Sequence, residues 1–366
     1  MRNPVQIREA RLTDVEAIRH LISTFGMTSR NLNPKFLRRY LELASEQHSS
    51  FGWILENQNQ DIVGVFLNFR TRYKMGAHEF RVAMASTWAV LDEYRSQSLR
   101  LLSKFNNQAD IDLLVDGTAT KEVGLILNKF RYKQAASSNY LSHLWIINVY
   151  PVAESLAFKL LSRPSRVLTF LFASLLFAYQ SSLRLFDSFH FKKNNLVSEL
   201  QDVDCELDDI FFDKNDSPLF SPVRNTDIIR WRFFMKDTVS QTRCFVFKRN
   251  KRVCGYLICN KIIGEGARAL TKLNILDIQV LENDKEIVRA LVDKAIEVAI
   301  EMNVDCIEMM GFSDYVDLLR FFSRPVRRKL NHSPFYFRFV NHDLERKIRI
   351  GKNWILSNYD SDASIR

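Results

Sequence analysis

Apolar and polar positions follow two rhythms along the first third of the chain. Residues 5–11 (VQIREAR) alternate with period two and predict a short strand. Thr13-Asp14 then opens a helix with Val15, Ile18, Leu21 and Ile22 on one stripe, Thr13 as N-cap and Glu16 three residues on. A second helix is predicted over 34–44. Residues 51–56 and 61–73 predict two antiparallel strands joined by Asn57-Gln58-Asn59-Gln60. A further strand, 80–90, leads into the stretch 87–105, TWAVLDEYRSQSLRLLSKF. There the apolar run stops at Val90, and a basic, polar turn follows at Tyr94-Arg95-Ser96-Gln97-Ser98. Leu99, Leu101, Leu102 and Phe105 then resume at helical spacing. A strand over 110–115, a helix over about 120–128 and a strand near Tyr132 complete the series.

The same order returns later. Residues 228–234 read as a helix, 242–248 and 254–262 as a hairpin around Arg249-Asn250-Lys251-Arg252, and 270–281 as a strand. Residues 284–302 carry Ile287, Leu291, Ala295, Val298 and Ala299 on one helical stripe. A strand over 305–310, a short helix over 315–322 and a closing strand over 335–340 follow. This is an α/β pattern in two copies, each a mixed, twisted sheet flanked by helices. The expected division is a first domain over 1–138, a connecting region over 139–220 that includes an apolar helix at 167–180, a second domain over 221–345, and a tail over 346–366.

Length and charge sharpen the picture. A chain of 366 residues exceeds one ordinary core. Its net charge of +10 favours an anionic partner. The densest basic groups, 248–252 and 324–329, read first as solvated turn and loop charge. No helix-turn-helix, zinc finger or RNP-like strand pair points to nucleic acid. The histidines, His78, His332 and His342 among them, lack ligand spacing, so no metal is expected. Cys205, Cys244, Cys254, Cys259 and Cys306 form no CxxC pair and fit free thiols in a reducing compartment. The first residues show no apolar signal core, and the expected location is cytoplasmic. The run 167–179, VLTFLFASLLFAY, has Arg163, Arg166 and Arg184 around it. It is short of the roughly 20 residues a membrane span needs. It reads as a buried interdomain helix or as one that dips into the inner membrane face.

The strand, basic turn and helix at 87–105 resemble the GNAT superfamily of acyl-CoA-dependent N-acyltransferases. The family turn has an Arg/Gln-x-x-Gly-x-Gly/Ala pattern, whose main-chain N–H groups hold the diphosphate of coenzyme A. Here the turn reads Arg95-Ser96-Gln97-Ser98-Leu99-Arg100, with Ser98 and Leu99 at the two small positions and Arg95 and Arg100 supplying charge. The resemblance implies pantetheine pairing along Trp88, Ala89 and Val90, and a cofactor contact near Thr118. Either the turn binds acetyl-CoA or another acyl-CoA, or it is purely structural. The family's Leu-Tyr-x-x-x-Gly-Phe helix end reads Ile126-Leu127-Asn128-Lys129-Phe130-Arg131-Tyr132, with no tyrosine acid and no glycine. No catalytic residue is nominated.

The second copy's turn, 281–286, is acidic and points away from coenzyme A. Asp277, inside an apolar strand, is either a satisfied structural carboxylate or an acceptor-site acid or base. The tail 354–362 and the stretch 230–233 resemble tandem-GNAT proteins found with bacterial surface-polysaccharide genes. The resemblance implies acyl transfer to a small-molecule or lipid-linked amine, such as an amino sugar. A non-catalytic binding or scaffold protein and an aminoacyl-tRNA-dependent transferase are its rivals.

Overall fold

The structure is a computed structural model. It describes residues 4–25, 51–135, 141–187, 196–201, 203, 207, 208, 210, 219–234, 242–264, 266, 268–319, 325–329, 335–341, 344, 345, 354 and 357–360. The helix expected over 34–44, together with Cys205, His332 and His342, lies outside them.

The first sheet is built from β1 (Val5–Glu9), β2 (Gly52–Asn57), β3 (Ile62–Met75), β4 (His78–Val90), β5 (Leu113–Asp116) and β6 (Lys133–Gln134). α1 (Val15–Ser23) covers one face, and α2 (Ser98–Asn106) and α3 (Lys121–Lys129) the other. Thr13 is not the N-cap of α1. Residues 12–14 form one 3₁₀ turn and the cap is Asp14, whose carboxylate accepts from the Arg11 N–H at 2.7 Å and from both terminal nitrogens of Arg8. That charge-assisted clasp outweighs a threonine hydroxyl. α3 starts where expected, with the Thr120 hydroxyl accepting from Val123.

The second sheet is built from β7 (Leu141–Ile146), β8 (Val197–Leu200), β10 (Thr242–Arg249), β11 (Arg252–Ile263), β12 (Thr271–Val280), β13 (Cys306–Met310) and β14 (Val326–Lys329). Between them run α4 (Val149–Leu161), α5 (Arg166–Asp187), α6 (Thr226–Phe233), α7 (Lys285–Glu301) and α8 (Ser313–Asp317). The β10–β11 turn places both Asn250 and Lys251 at positive φ, the backbone of a type I′ hairpin. Cys244, Cys259 and Cys306 are buried free thiols, and burial pushes the Cys259 thiol up to about 12 and Cys306 up to about 11.

The closing strand expected for the second copy does not close it. β15 (Tyr336–Phe339) lies between β5 and β6 in the first sheet. Its counterpart in the second sheet is β7, which lies between β13 and β14. Each sheet takes its penultimate strand from the far half of the chain. β9 (Ser221–Pro222) also crosses over, onto the β3 edge. The basic run 324–329, read as loop charge, contains the edge strand β14, where Arg328 reaches Glu308 and Arg327 reaches Asp317. Period-two patterning predicts a strand but carries no information about which sheet receives it.

The α3 end confirms one unusual position. Tyr132 N–H bonds Leu127 O and Arg131 N–H bonds Asn128 O, the two bonds of a Schellman motif. Arg131, where the resembling family has glycine, sits at φ 64. Arg131→Gly is expected to raise the unfolding free energy by about 1 kcal/mol, because the left-handed conformation costs a side-chain-bearing residue that much. A urea titration reads this as a higher midpoint at unchanged slope.

Candidate functional site

Both sheets open at the same kind of place. In the first, β4 and β5 pair in parallel over Val82–Ala85 and Leu113–Asp116, and the ladder ends there. On the other side of β4, Phe66 pairs with Trp88 and Asn68 with Ala85, so Ser86 and Thr87 oppose Leu67 alone. That is a β-bulge, which bends the strand. β4 then runs on to Val90 along β3 while β5 has ended, and the two parallel strands part at their carboxyl ends. Ala89 packs into the core under α1, and Val90 and Trp88 into the core under α2 and α3, with Trp88 5.5 Å from the Phe66 ring. With those side chains spent in two cores, the β4 main chain beyond Ala85 runs past the end of the β5 ladder.

The turn beyond differs from an open, glycine-containing loop. Residues Asp92–Gln97 wind into a 3₁₀ helix that continues directly into α2. Tyr94 N–H bonds Leu91 O and Ser98 N–H bonds Arg95 O. A 3₁₀ turn spends its amides on carbonyls three residues back, so Ser96, Gln97 and Ser98 sit in a wound segment. The first helical turn carries Asp92 and Glu93. Arg95 holds Asp92 at 2.8 Å and Arg100 holds the Gln97 amide oxygen at 3.0 Å, all on an exposed surface. Leu99 is 47% exposed, outside the core beneath it. Thr118 lies on the adjacent turn after β5, its N–H donating to Asp116 at 3.1 Å. The ten residues nominated from sequence thus gather at the carboxyl ends of two neighbouring parallel strands.

Leu127 is buried and carries no transferable proton. Tyr336, which sequence reasoning did not nominate, pairs with Asp116 at the end of the same ladder. Its hydroxyl lies so close to α3 that a Cβ on Gly124 would meet it at 2.2 Å. His78 sits at the exposed β3–β4 turn, at the opposite end of β4 from the bulge. Among the described residues, no group of three or more histidine, cysteine or carboxylate side chains could hold a metal ion.

The second sheet repeats the opening. β12 and β13 pair in parallel over Lys272–Ile275 and Cys306–Met309, and Leu276 bulges immediately after. Here the chain's own tail fills the gap. Ser357 bridges to Gly311 at the end of β13, and Tyr359 is buried with Leu276, Tyr256 and Ile258. The Tyr359 ring lies 4.4 Å from the Arg224 guanidinium and 4.2 Å from that of Arg232, which also donates to the Tyr359 carbonyl. Burial pushes the Tyr359 phenol up to about 12. The helix start is closed as well: the Asp284 carboxylate caps α7 by accepting from Glu286 N–H at 2.8 Å. A capping carboxylate and the neighbouring Glu282 leave no room for a second anion.

Asp277 is the satisfied structural carboxylate. It is 0% exposed, and Arg224 grips it with two hydrogen bonds of 2.9 and 3.0 Å while Tyr256 donates at 2.7 Å. Burial opposes the Arg224 charge, but Asp277 outweighs it and the guanidinium ends above its ordinary range. Nearby, Asp360 accepts from Tyr73 at 2.6 Å and from Ser357, and burial holds its pKa above the usual carboxylate value. An acid inside an apolar strand announced that a partner must exist. Nothing in the pattern named Arg224, 53 residues away.

No family sequence model matches the chain, and no curated protein matches it in sequence. The fold is that of solved GCN5-related N-acetyltransferases. The structure from Kribbella flavida aligns with TM-score 0.60 at 10% identity over 93% of this chain and 72% of that one. The one from Anabaena variabilis aligns with TM-score 0.59 at 13% identity over 93% and 74%. The N-myristoyltransferase of Saccharomyces cerevisiae, solved with bound myristoyl-CoA, aligns with TM-score 0.53 at 10% identity over 98% and 84%. At these identities the likeness is one of fold.

Proposed function

We propose that the chain is a tandem-GNAT acyltransferase whose first half binds acetyl-CoA or another acyl-CoA and whose second half has lost that role. The observation that carries this reading is the contrast between the two openings. One presents the β4 main chain running on past the end of the β5 ladder, beside two arginines, and the other is filled by the tail and closed by acids. A pantetheine arm, itself a chain of amides, would pair along Trp88–Val90. The diphosphate would lie near Arg95–Arg100 and the neighbouring Thr118. With the 92–97 amides wound into a 3₁₀ turn, charge takes over from main-chain donors. An exposed Arg95–Asp92 pair is worth about 0–1 kcal/mol, and a charge-assisted phosphate contact about 1.5–3 kcal/mol. The phosphate wins that competition.

In this reading an acceptor amine attacks the thioester carbonyl held against β4. A C–N bond forms and the C–S bond breaks; the amine gives up one proton, passed through water, and coenzyme A leaves as a thiolate that takes up a proton to become the thiol, while main-chain N–H groups polarise the carbonyl during attack. The acceptor is an amino sugar or lipid-linked sugar of surface-polysaccharide synthesis, and the protein works in the cytoplasm or at the inner membrane face. Calorimetric titration with acetyl-CoA tests the assignment. Arg95→Glu together with Arg100→Glu is expected to weaken binding at least about tenfold, since two charge-assisted contacts are reversed. Equal affinity in the double variant would move the diphosphate elsewhere. No heat with either protein would favour a non-catalytic binding role.

A further inference from the structure

The α4–α5 hairpin has an apolar side that nothing among the described residues covers. Ser162 at φ 55 ends α4 in the left-handed conformation, its N–H bonding Phe158 O at 2.8 Å. Arg163 and Pro164 turn the chain, and the Ser165 hydroxyl accepts from Leu168 N–H to start α5. α4 spends small residues on its inner side, burying Val152, Ala153, Ser155 and Ala157. α5 buries Thr169. The stripe at helical spacing that ordinarily faces a core faces out: Val167 is 74% exposed, Phe170 70% and Leu175 68%, with Leu171 and, at the end of α4, Leu160 beside them. Surface leucines scattered singly need no explanation, but a contiguous apolar face of this kind marks an interaction site.

Charge decides the occupant. Between Glu154 and Asp187 the sequence contains no acidic residue, while Lys159, Arg163, Arg166 and Arg184 are basic. Lys159, Arg163 and Arg166 are exposed and stand around the hairpin turn, beside the apolar stripe. An apolar face rimmed by cations, on a hairpin whose own sequence carries no acid between Glu154 and Asp187, suits a layer of hydrocarbon below a layer of negative headgroups. A protein partner that covered this face would have to be both apolar and acidic, and a second copy brings the same positive charge to the contact. Among the described residues no helix is long and apolar enough to cross a membrane. The hairpin would therefore lie in the interface, with its turn and outward stripe about 5–10 Å deep.

We infer that the α4–α5 hairpin docks the protein on an anionic phospholipid bilayer, the turn and the 167–175 stripe inserted and Arg163 and Arg166 at the phosphates. This rests on the hairpin alone and stands whether or not the first half binds an acyl-CoA. The test is co-sedimentation of the full chain with vesicles of phosphatidylcholine alone and of phosphatidylcholine mixed with phosphatidylglycerol, alongside sedimentation velocity without lipid. The wild type is expected to pellet with the mixed vesicles. Leu171→Asp with Leu175→Asp should lower the bound fraction at least tenfold. Arg163→Glu with Arg166→Glu should abolish the preference for phosphatidylglycerol. Both pairs are exposed, so an unchanged circular dichroism spectrum is expected and separates docking from unfolding. Wild type that stays in the supernatant, or pelleting unchanged by Leu171→Asp with Leu175→Asp, overturns the inference. So does a wild-type dimer without lipid that the same double variant dissociates, because a second copy then covers the face.

Discussion

Replacing Asp277 by alanine lowers the unfolding free energy by about 3–5 kcal/mol, because it strands a guanidinium inside the protein. Arg224 is nearly as buried as its partner, with a side chain 9% exposed, and its two strongest hydrogen bonds end on that one carboxylate. A surface arginine that lost its acid would turn to water; this one has the Tyr359 ring on its face and the Pro222 carbonyl beside it. Two further variants separate the charge from the packing. Tyr256→Phe removes one of the hydrogen bonds to Asp277 and is expected to cost about 1 kcal/mol. Arg224→Met combined with Asp277→Leu removes both charges and is expected to cost less than Asp277→Ala alone. Urea unfolding measures all three. A loss below about 1 kcal/mol for Asp277→Ala would mean that the cluster is more open to water than its geometry shows.

Trp354→Ala carries an effect of similar size for a different reason. The indole is buried in the first core, with ring centroids of Phe335 at 5.0 Å, Phe220 at 5.2 Å, Phe337 at 5.3 Å and Tyr73 at 6.1 Å. Those rings come from β3, from β15 and its approach, and from the segment just before β9. Trp354 therefore fills a space that elements from both halves of the chain create together. Truncating such a side chain leaves a cavity and costs about 3–5 kcal/mol. The consequence reaches beyond stability. Three residues on, Ser357 makes the bridge to Gly311, and Tyr359 and Asp360 fill the second opening. Loosening the tryptophan is expected to release the tail, read as faster proteolysis of the last residues and a lower midpoint in urea. A variant as stable and as protease-resistant as the wild type would show that the tail is held by Tyr359 and Asp360 alone.

Much of the fold was legible because it rests on local pattern. The β2–β3 hairpin, α2, α3, the β10–β11 hairpin and α7 all follow from period-two or helical stripes. The exchanged strands were not. Residues 335–340 announce a strand, but their partners are Leu113–Asp116, more than two hundred positions earlier. Nothing in the alternation distinguishes that pairing from one with β13. The basic run at 324–329 was misread for the same reason: an edge strand with arginines on it looks like a charged loop until Glu308 and Asp317 are in view. At the candidate site, the strand and the helix were legible and the turn between them was not. Without glycine, residues 92–97 all take helical angles, and a 3₁₀ turn replaces an open loop. The contrast between the halves was half legible. The acids at 282–284 argued against a phosphate, while the plug came from a tail whose sequence gives no hint of its destination.

The most direct test of the central claim is hydrogen–deuterium exchange of the full chain with and without a saturating acyl-CoA. The account predicts slower exchange in peptides spanning residues 86–100 and 116–120, and no change in those spanning 276–286 or in the tail around Tyr359. Protection confined to the second opening, or no protection in either, would contradict it.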